Sequence, residues 1–141
     1  MTIQSIQEEI VEEFSIFDDW MDKYEHIIES GKELESMSDE LKLESNLVKG
    51  CQSQVWLHAE MEGTKLVFQA DSDAIITKGL VSLMVRTLSG HTPKEILDAE
   101  LSFVDEIGLK EHLSPTRSNG LVSMIKKIKL YALGFQTKIG S

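Results

Sequence analysis

Apolar residues recur at helical spacing over the first thirty positions and predict two amphipathic helices. Ser5 and Glu8 have the spacing of a capping box early in the first helix, and Asp18 or Asp19 suits the start of the second. Gly31 is expected to end the second helix. We interpret the apolar faces as core packing, with a partner-binding face as the alternative. They comprise Ile3, Ile6, Ile10, Phe14 and Phe17 in the first helix, and Trp20, Tyr24, Ile27 and Ile28 in the second.

The pattern changes from helical to alternating in the middle of the chain, which predicts a β-hairpin. Residues 55–61 alternate between apolar and polar, Glu62-Gly63 forms the turn, and the return strand begins at Leu66. Leu47-Val48 could close a short strand before this hairpin, and Gly50 would break it. Cys51 is therefore expected in a loop that joins two strands.

One nearly all-apolar segment predicts a buried central helix after the hairpin. It is expected to start at Asp71 or Ser72 and to end at Gly90. Gly79 inside it costs about 1 kcal/mol relative to alanine, which indicates a close packing contact at that position.

The last third of the chain predicts further helices. Thr92-Pro93-Lys94-Glu95 has the signature of a capped helix start, and short helical pieces are expected as far as Leu113. Residues 114–120 are polar and are interpreted as a loop that leads into the last helix. Lys126, Lys127 and Lys129 are expected on or beside its outer face, and its buried stripe comprises Leu121, Met124, Ile125, Ile128 and Ala132.

The order of helices, strands and helices predicts an α+β fold with a small antiparallel sheet and helices packed on one face. The length of 141 residues suits a single domain over 1–141. The apolar runs are short and interrupted by charges, so no membrane span is expected. The acidic N-terminal stretch lacks a basic start and an apolar core, which argues against a targeting segment and favours the cytoplasm.

The formal net charge of −10 limits the partners that the chain is expected to have. Such a charge repels phosphate backbones and anionic lipid surfaces, so neither nucleic acid nor a membrane is an expected partner. A solvated acidic surface explains most of the charge, and a recognition role for part of it is the alternative.

The single cysteine, Cys51, is the main candidate for chemistry. A lone cysteine is often a small buried hydrophobe, but Gly50 permits a tight turn, and Gln52, Ser53 and Gln54 are polar residues suited to a loop tip. These neighbours favour a reactive thiol.

A reactive thiol needs a group that stabilises its thiolate form. Arg117 is one candidate cation, although a capping or surface arginine is the alternative reading, and Lys49 is a weaker candidate. The four histidines, His26, His58, His91 and His112, have no metal-ligand spacing, so no metal site is expected.

Four ordered segments closely resemble the motifs of the SufE family, including its CsdE relatives. The segment around the cysteine, residues 47–57, reads LVKGCQSQVWL. The others are DDWMDKY at residues 18–24, ADSDA at 70–74 followed by KGL at 78–80, and HLSPTRSNGL at 112–121. Together they span nearly the whole chain in the order that the family has.

This resemblance implies a fold like that of the scaffold protein IscU, with Cys51 at a loop tip. It implies that Cys51 accepts sulfur as a transient persulfide from a SufS-type cysteine desulfurase, which carries the pyridoxal phosphate. The sulfur then passes to an iron–sulfur scaffold. Asp73 and Arg117 match family positions near the loop and are taken as supporting residues, as are the flanking Gly50, Gln52 and Gln54. The chain itself needs no cofactor, and its own state is a monomer or a homodimer.

Three other functions are weaker interpretations. An iron–sulfur scaffold needs several ligands, typically cysteines, and this chain has one. A thiol hydrolase would need His58 or His112 as its base. An interaction module with an inert Cys51 is the third.

Overall fold

The helices and strands of the described residues follow the predicted order of helices, hairpin and helices. The computed structural model describes residues 2–51 and 53–140, apart from the side chains at positions 110, 139 and 140. The elements of this part of the chain are α1 (Ile3–Ser15), α2 (Trp20–Lys32), β1 (Val55–Glu62), β2 (Lys65–Ser72), α3 (Ile75–Leu88), α4 (Pro93–Asp98), α5 (Phe103–Glu106), α6 (Leu109–His112) and α7 (Pro115–Gly140), with 3-10 turns at Asp39–Leu41 and Glu44–Asn46.

The two strands form the predicted antiparallel sheet, and the α+β fold class is confirmed. Their pairing runs from Val55 opposite Ser72 to Glu62 opposite Lys65, so the turn lies one residue later than expected. The inward-facing side chains of the strands are buried, in keeping with the alternating pattern. Strand β2 packs on α3, and Val55, Leu57 and Phe68 face residues of α7.

The prediction that the central helix starts at Asp71 or Ser72 is wrong, because both residues continue β2 and α3 begins at Ile75. Asp71 is only 5% exposed, and its carboxylate accepts hydrogen bonds from the backbone N–H groups of Ser72 and Met37. The ammonium of Lys78 lies 3.3 Å from it. Burial acts to raise the pKa of Asp71, but these hydrogen bonds and Lys78 together hold it below its ordinary value.

The helix starts follow ordinary capping chemistry, with one correction. Asp19 caps α2 as predicted, and the Thr92 capping box of α4 is confirmed. The capping box predicted at Ser5 and Glu8 is wrong, because Thr2 caps α1 by accepting from the backbone N–H of Ser5. The cap lies three residues earlier because the apolar face of α1 already begins at the buried Ile3.

A pair of glycines lets α2 and α3 cross closely. The position of a Cβ atom on Gly31 would lie 2.8 Å from the backbone nitrogen of Gly79. The prediction that Gly31 ends α2 is wrong, because the helix continues to Lys32. Gly31 lies in the last turn of α2 and allows the close approach of α3. The close contact predicted at Gly79 is confirmed, with Ile27 as its neighbour.

Helix α7 begins earlier than the sequence predicts. Residues 115–120, expected to be a loop, form its first turns, because Pro115 occupies the first helical position and the Ser114 hydroxyl accepts from the N–H of Arg117. The expected buried stripe is confirmed for Leu121, Met124, Ile128 and Ala132, with Ile125 partly buried. Among the described residues, no helix has the length and apolar character that a membrane crossing requires.

Candidate functional site

Cys51 lies in a loop that the chain closes at its base, as the sequence predicts. The backbone N–H of Val48 donates to the carbonyl of Val55 at 2.8 Å, and Leu47 forms a bridge with Trp56. Residues 49–51 and 53–54 therefore lie at the end of the hairpin that is away from its turn.

Gly50 gives the loop its conformation. Its φ of +92° lies in the left-handed region that favours glycine. A Cβ atom at this position would also lie 2.6 Å from the Ser123 hydroxyl oxygen. The loop therefore rests directly on α7, and the backbone angle favours glycine at this position, while rotation of the Ser123 hydroxyl could relieve the contact.

The thiol of Cys51 points into a small pocket against the second turn of α7. The Sγ atom donates to the carbonyl oxygen of Gly120 at 3.5 Å, and a Cβ atom on Gly120 would lie 3.4 Å from the sulfur. The thiol is half-buried, and the pocket has a volume of about 50 Å³. Its other walls are Ser53, Thr77, Leu80, Thr116, Arg117 and Met124.

Burial raises the pKa of the Cys51 thiol. Arg117 reaches the pocket wall from the first turn of α7, but its guanidinium donates to the hydroxyl of Tyr24 at 3.4 Å. Lys49 does not line this pocket and lies instead in a separate groove. In this arrangement the thiol is protonated at neutral pH. Arg117, the cation expected to lower the pKa of the thiol, lies in the pocket wall, yet that pKa is raised.

Asp73 and Gln54 are brought together at the end of the loop. The Asp73 carboxylate accepts from the backbone N–H of Gln54 at 3.0 Å, and the N–H of Asp73 donates to the Gln54 carbonyl at 3.2 Å. The Ser72 hydroxyl donates to that same carbonyl. These contacts fix the loop to the connection between β2 and α3. Gln52, also predicted as a supporting residue, lies outside the described residues.

Gly120, Ser123 and Thr77 contact or surround the cysteine loop, and the sequence reasoning missed all three as site residues. A helix start at Pro115 would have placed Gly120 and Ser123 on the face toward the loop, one turn apart. The two histidines considered as a base, His58 and His112, do not line the pocket. His58 contacts Glu60, and His112 stacks on Trp20.

We expect alkylation of Cys51 in the folded protein to be slower than in the same protein unfolded in urea. The reason is the raised pKa, since each unit lowers the thiolate fraction about tenfold at any pH below it. A pH series of the rate with iodoacetamide tests this, and its inflection should lie above that of the unfolded chain. Equal rates and equal inflections would show that the pocket does not shield the thiol.

Comparisons with known proteins agree on one family. The family model described as "SufE: Fe-S metabolism associated domain" matches residues 8–132. A SufE-like protein of Synechocystis is 41% identical, over 90% of this chain and 80% of that protein. A SufE-like protein of Rhizobium meliloti is 44% identical, over 90% of this chain and 94% of that protein.

Two further relatives extend the comparison. The Arabidopsis protein named SufE-like protein 1, chloroplastic/mitochondrial, is 40% identical over 93% of this chain, which spans 36% of its length. The solution structure of a hypothetical protein from Thermus thermophilus has the same fold, with a TM-score of 0.77 and 22% identity. That alignment covers 94% of this chain and 96% of the other.

Proposed function

The chain belongs to the SufE family, whose domain is associated with Fe–S metabolism, and within that role we propose that Cys51 accepts a sulfur atom from a SufS-type cysteine desulfurase. The observation that carries the proposal is the placement of the one cysteine. It lies on a projecting loop that Gly50 shapes, with its sulfur in a pocket that α7 walls.

The transfer follows thiol–disulfide chemistry. The Cys51 thiolate attacks the terminal sulfur of a persulfide on the desulfurase cysteine. A bond forms between the Cys51 sulfur and the terminal sulfur of the persulfide. The bond between that terminal sulfur and the desulfurase cysteine breaks, and the desulfurase cysteine leaves as a thiolate. The product is a Cys51 persulfide, which a second thiol or an iron–sulfur scaffold then receives. Pyridoxal phosphate belongs to the desulfurase in this scheme, and the chain carries only the transient persulfide.

The loop must leave its pocket before the attack. Burial keeps the thiol protonated at rest, and withdrawal from the pocket returns its pKa toward the ordinary value. Arg117 is the cation best placed to stabilise the thiolate during this movement, because it lines the same pocket. Asp73 holds the end of the loop through Gln54, so the movement is concentrated at Cys51 and Ser53. A cytoplasmic location and the choice between monomer and homodimer stay predictions.

The proposed function is tested by the turnover of a partner. Added wild-type protein should raise the rate at which a SufS-type desulfurase forms alanine from cysteine, because it removes sulfur from the enzyme. The rate should saturate with added protein. The matched control is the same protein alkylated on Cys51, which should give no increase. An active desulfurase whose rate is unchanged by the wild-type protein would contradict the proposal.

A further inference from the structure

A wide groove lies beside the cysteine loop and shares no lining residue with the thiol pocket. It has a volume of about 640 Å³ and runs between α7 and the segment that leads into the loop. Ser123, which contacts Gly50, forms part of its wall. Its lining comprises Glu44, Ser45, Leu47, Val48, Lys49, Ser123, Lys126, Lys127 and Leu130.

The groove concentrates positive charge on an acidic protein. Three lysines, Lys49, Lys126 and Lys127, line it with one carboxylate, Glu44, while the chain as a whole has a net charge of −10. Among residues 2–51 and 53–140, no carboxylate lies within ion-pair distance of these three ammonium groups. The charges of Lys49 and Lys126 are therefore available to a partner.

Lys127 is fixed in the groove wall rather than solvated on the outer face where the sequence places it. Its ammonium donates to the carbonyls of Ser45 at 3.2 Å and Leu47 at 2.9 Å. Burial, and then the nearby charge of Lys49, lower its pKa. The two lysines therefore repel each other weakly in the isolated protein, and a bound carboxylate would relieve that repulsion.

The groove also has an apolar edge next to its charge. Leu130 belongs to the lining and is 66% exposed. A mixture of separate charges and one exposed apolar side chain suits a protein segment better than a small anion, which would bind the charges and leave Leu130 uncovered.

We propose that this groove docks an acidic segment of the sulfur donor protein, with carboxylates on Lys49 and Lys126 and an apolar side chain on Leu130. This inference rests on the proposed function, since it names a contact made during sulfur transfer. Docking there places the partner against Lys49, which stands two positions before Cys51 in the cysteine loop. Charge complementarity of this kind directs a partner and sets the encounter rate.

The test compares two double variants that change the net charge equally. Lys49→Glu with Lys126→Glu alters the groove, and Lys65→Glu with Lys94→Glu alters exposed positions at the hairpin turn and on α4. Each is added to a SufS-type desulfurase with cysteine, and KM for the carrier and kcat are measured at several salt concentrations. Thermal melting establishes that both variants fold.

We expect the groove variant to raise KM about tenfold while kcat stays unchanged, because reversed charges weaken encounter and leave the chemistry intact. The wild-type KM should rise with salt, and the groove variant should lose most of that dependence. The control variant should match the wild type. Equal KM values for the wild type and the groove variant would overturn the proposed docking in the groove, and so would equal increases of KM in both variants. Either result would leave the proposed function unaffected. A wild-type protein that does not stimulate an active desulfurase would remove both proposals.

Discussion

Replacing Cys51 with serine should abolish sulfur acceptance while leaving the fold and the binding to the desulfurase unchanged. A serine hydroxyl has nearly the same shape as the thiol and can donate to the Gly120 carbonyl in its place. It is neutral at physiological pH and cannot hold a sulfur atom as a persulfide. Alanine formation by the desulfurase should therefore fall to the rate measured without any carrier.

Competition separates loss of chemistry from loss of binding. Cys51→Ser protein in excess should inhibit stimulation by the wild type, since it occupies the same surface without accepting sulfur. Its melting temperature should match the wild type. Stimulation equal to the wild type by the serine variant would refute the role of Cys51 and favour the inert-cysteine interpretation.

The Gly79→Ala substitution should be the most destabilising glycine-to-alanine change among the glycines that the structure describes. The new Cβ would meet the backbone carbonyl group of Ile27, whose carbon lies 2.7 Å from its position. Backbone atoms cannot rotate away as a side chain can, so α2 and α3 must separate. Overpacking lowers the free energy of unfolding by about 1–3 kcal/mol, and the higher helix preference of alanine offsets ~1 kcal/mol of that loss. Because the clash is with backbone, we expect the upper end of that cost, which leaves a net loss of about 2 kcal/mol in the free energy of unfolding.

Gly134→Ala is the matched control for this substitution. Gly134 also lies within a helix, but no atom beyond its own helix backbone and chain neighbours lies within 4 Å of its Cβ position. Alanine there should stabilise the protein by up to about 1 kcal/mol through helix preference alone. Urea unfolding of both variants measures the difference. Equal stability of the two variants would show that the α2–α3 crossing tolerates a methyl group.

Local patterns predict the parts of the site that depend on neighbouring residues. The hairpin follows from alternating side chains, and the loop around Cys51 follows from Gly50 and the polar residues after the cysteine. The family motifs extend this reading to Asp73 and Arg117. The structure brings Asp73 to Gln54 and Arg117 to the pocket wall, although neither residue bonds to the sulfur.

Contacts between distant segments are the part that the pattern could not predict. Gly120 lies 69 residues from Cys51 and meets it only because α7 crosses beneath the loop. The polar residues 114–119 resemble a loop, yet Ser114 and Pro115 start a helix there. Gly31 was misread as a helix end for a similar reason, since its partner Gly79 lies on another helix.

The surface lysines illustrate the same limit. Lys127 and Lys129 belong to a helix whose period places them near the outer face, but both ammonium groups donate to carbonyls of segments packed against α7. Tertiary structure decides which segments pack against a helix. Periodicity therefore separates buried from exposed positions of the helix, but it does not identify which polar groups will form hydrogen bonds.

Intact-protein mass spectrometry shows whether Cys51 accepts sulfur. The protein is incubated with a SufS-type desulfurase and cysteine, without reductant, and its mass is then measured. The account predicts that the wild-type protein gains one or more sulfur atoms, that a thiol reductant removes them, and that peptide mapping places them on Cys51. An unchanged mass beside a desulfurase that is visibly turning over cysteine would contradict the claim, as would added sulfur on any other residue.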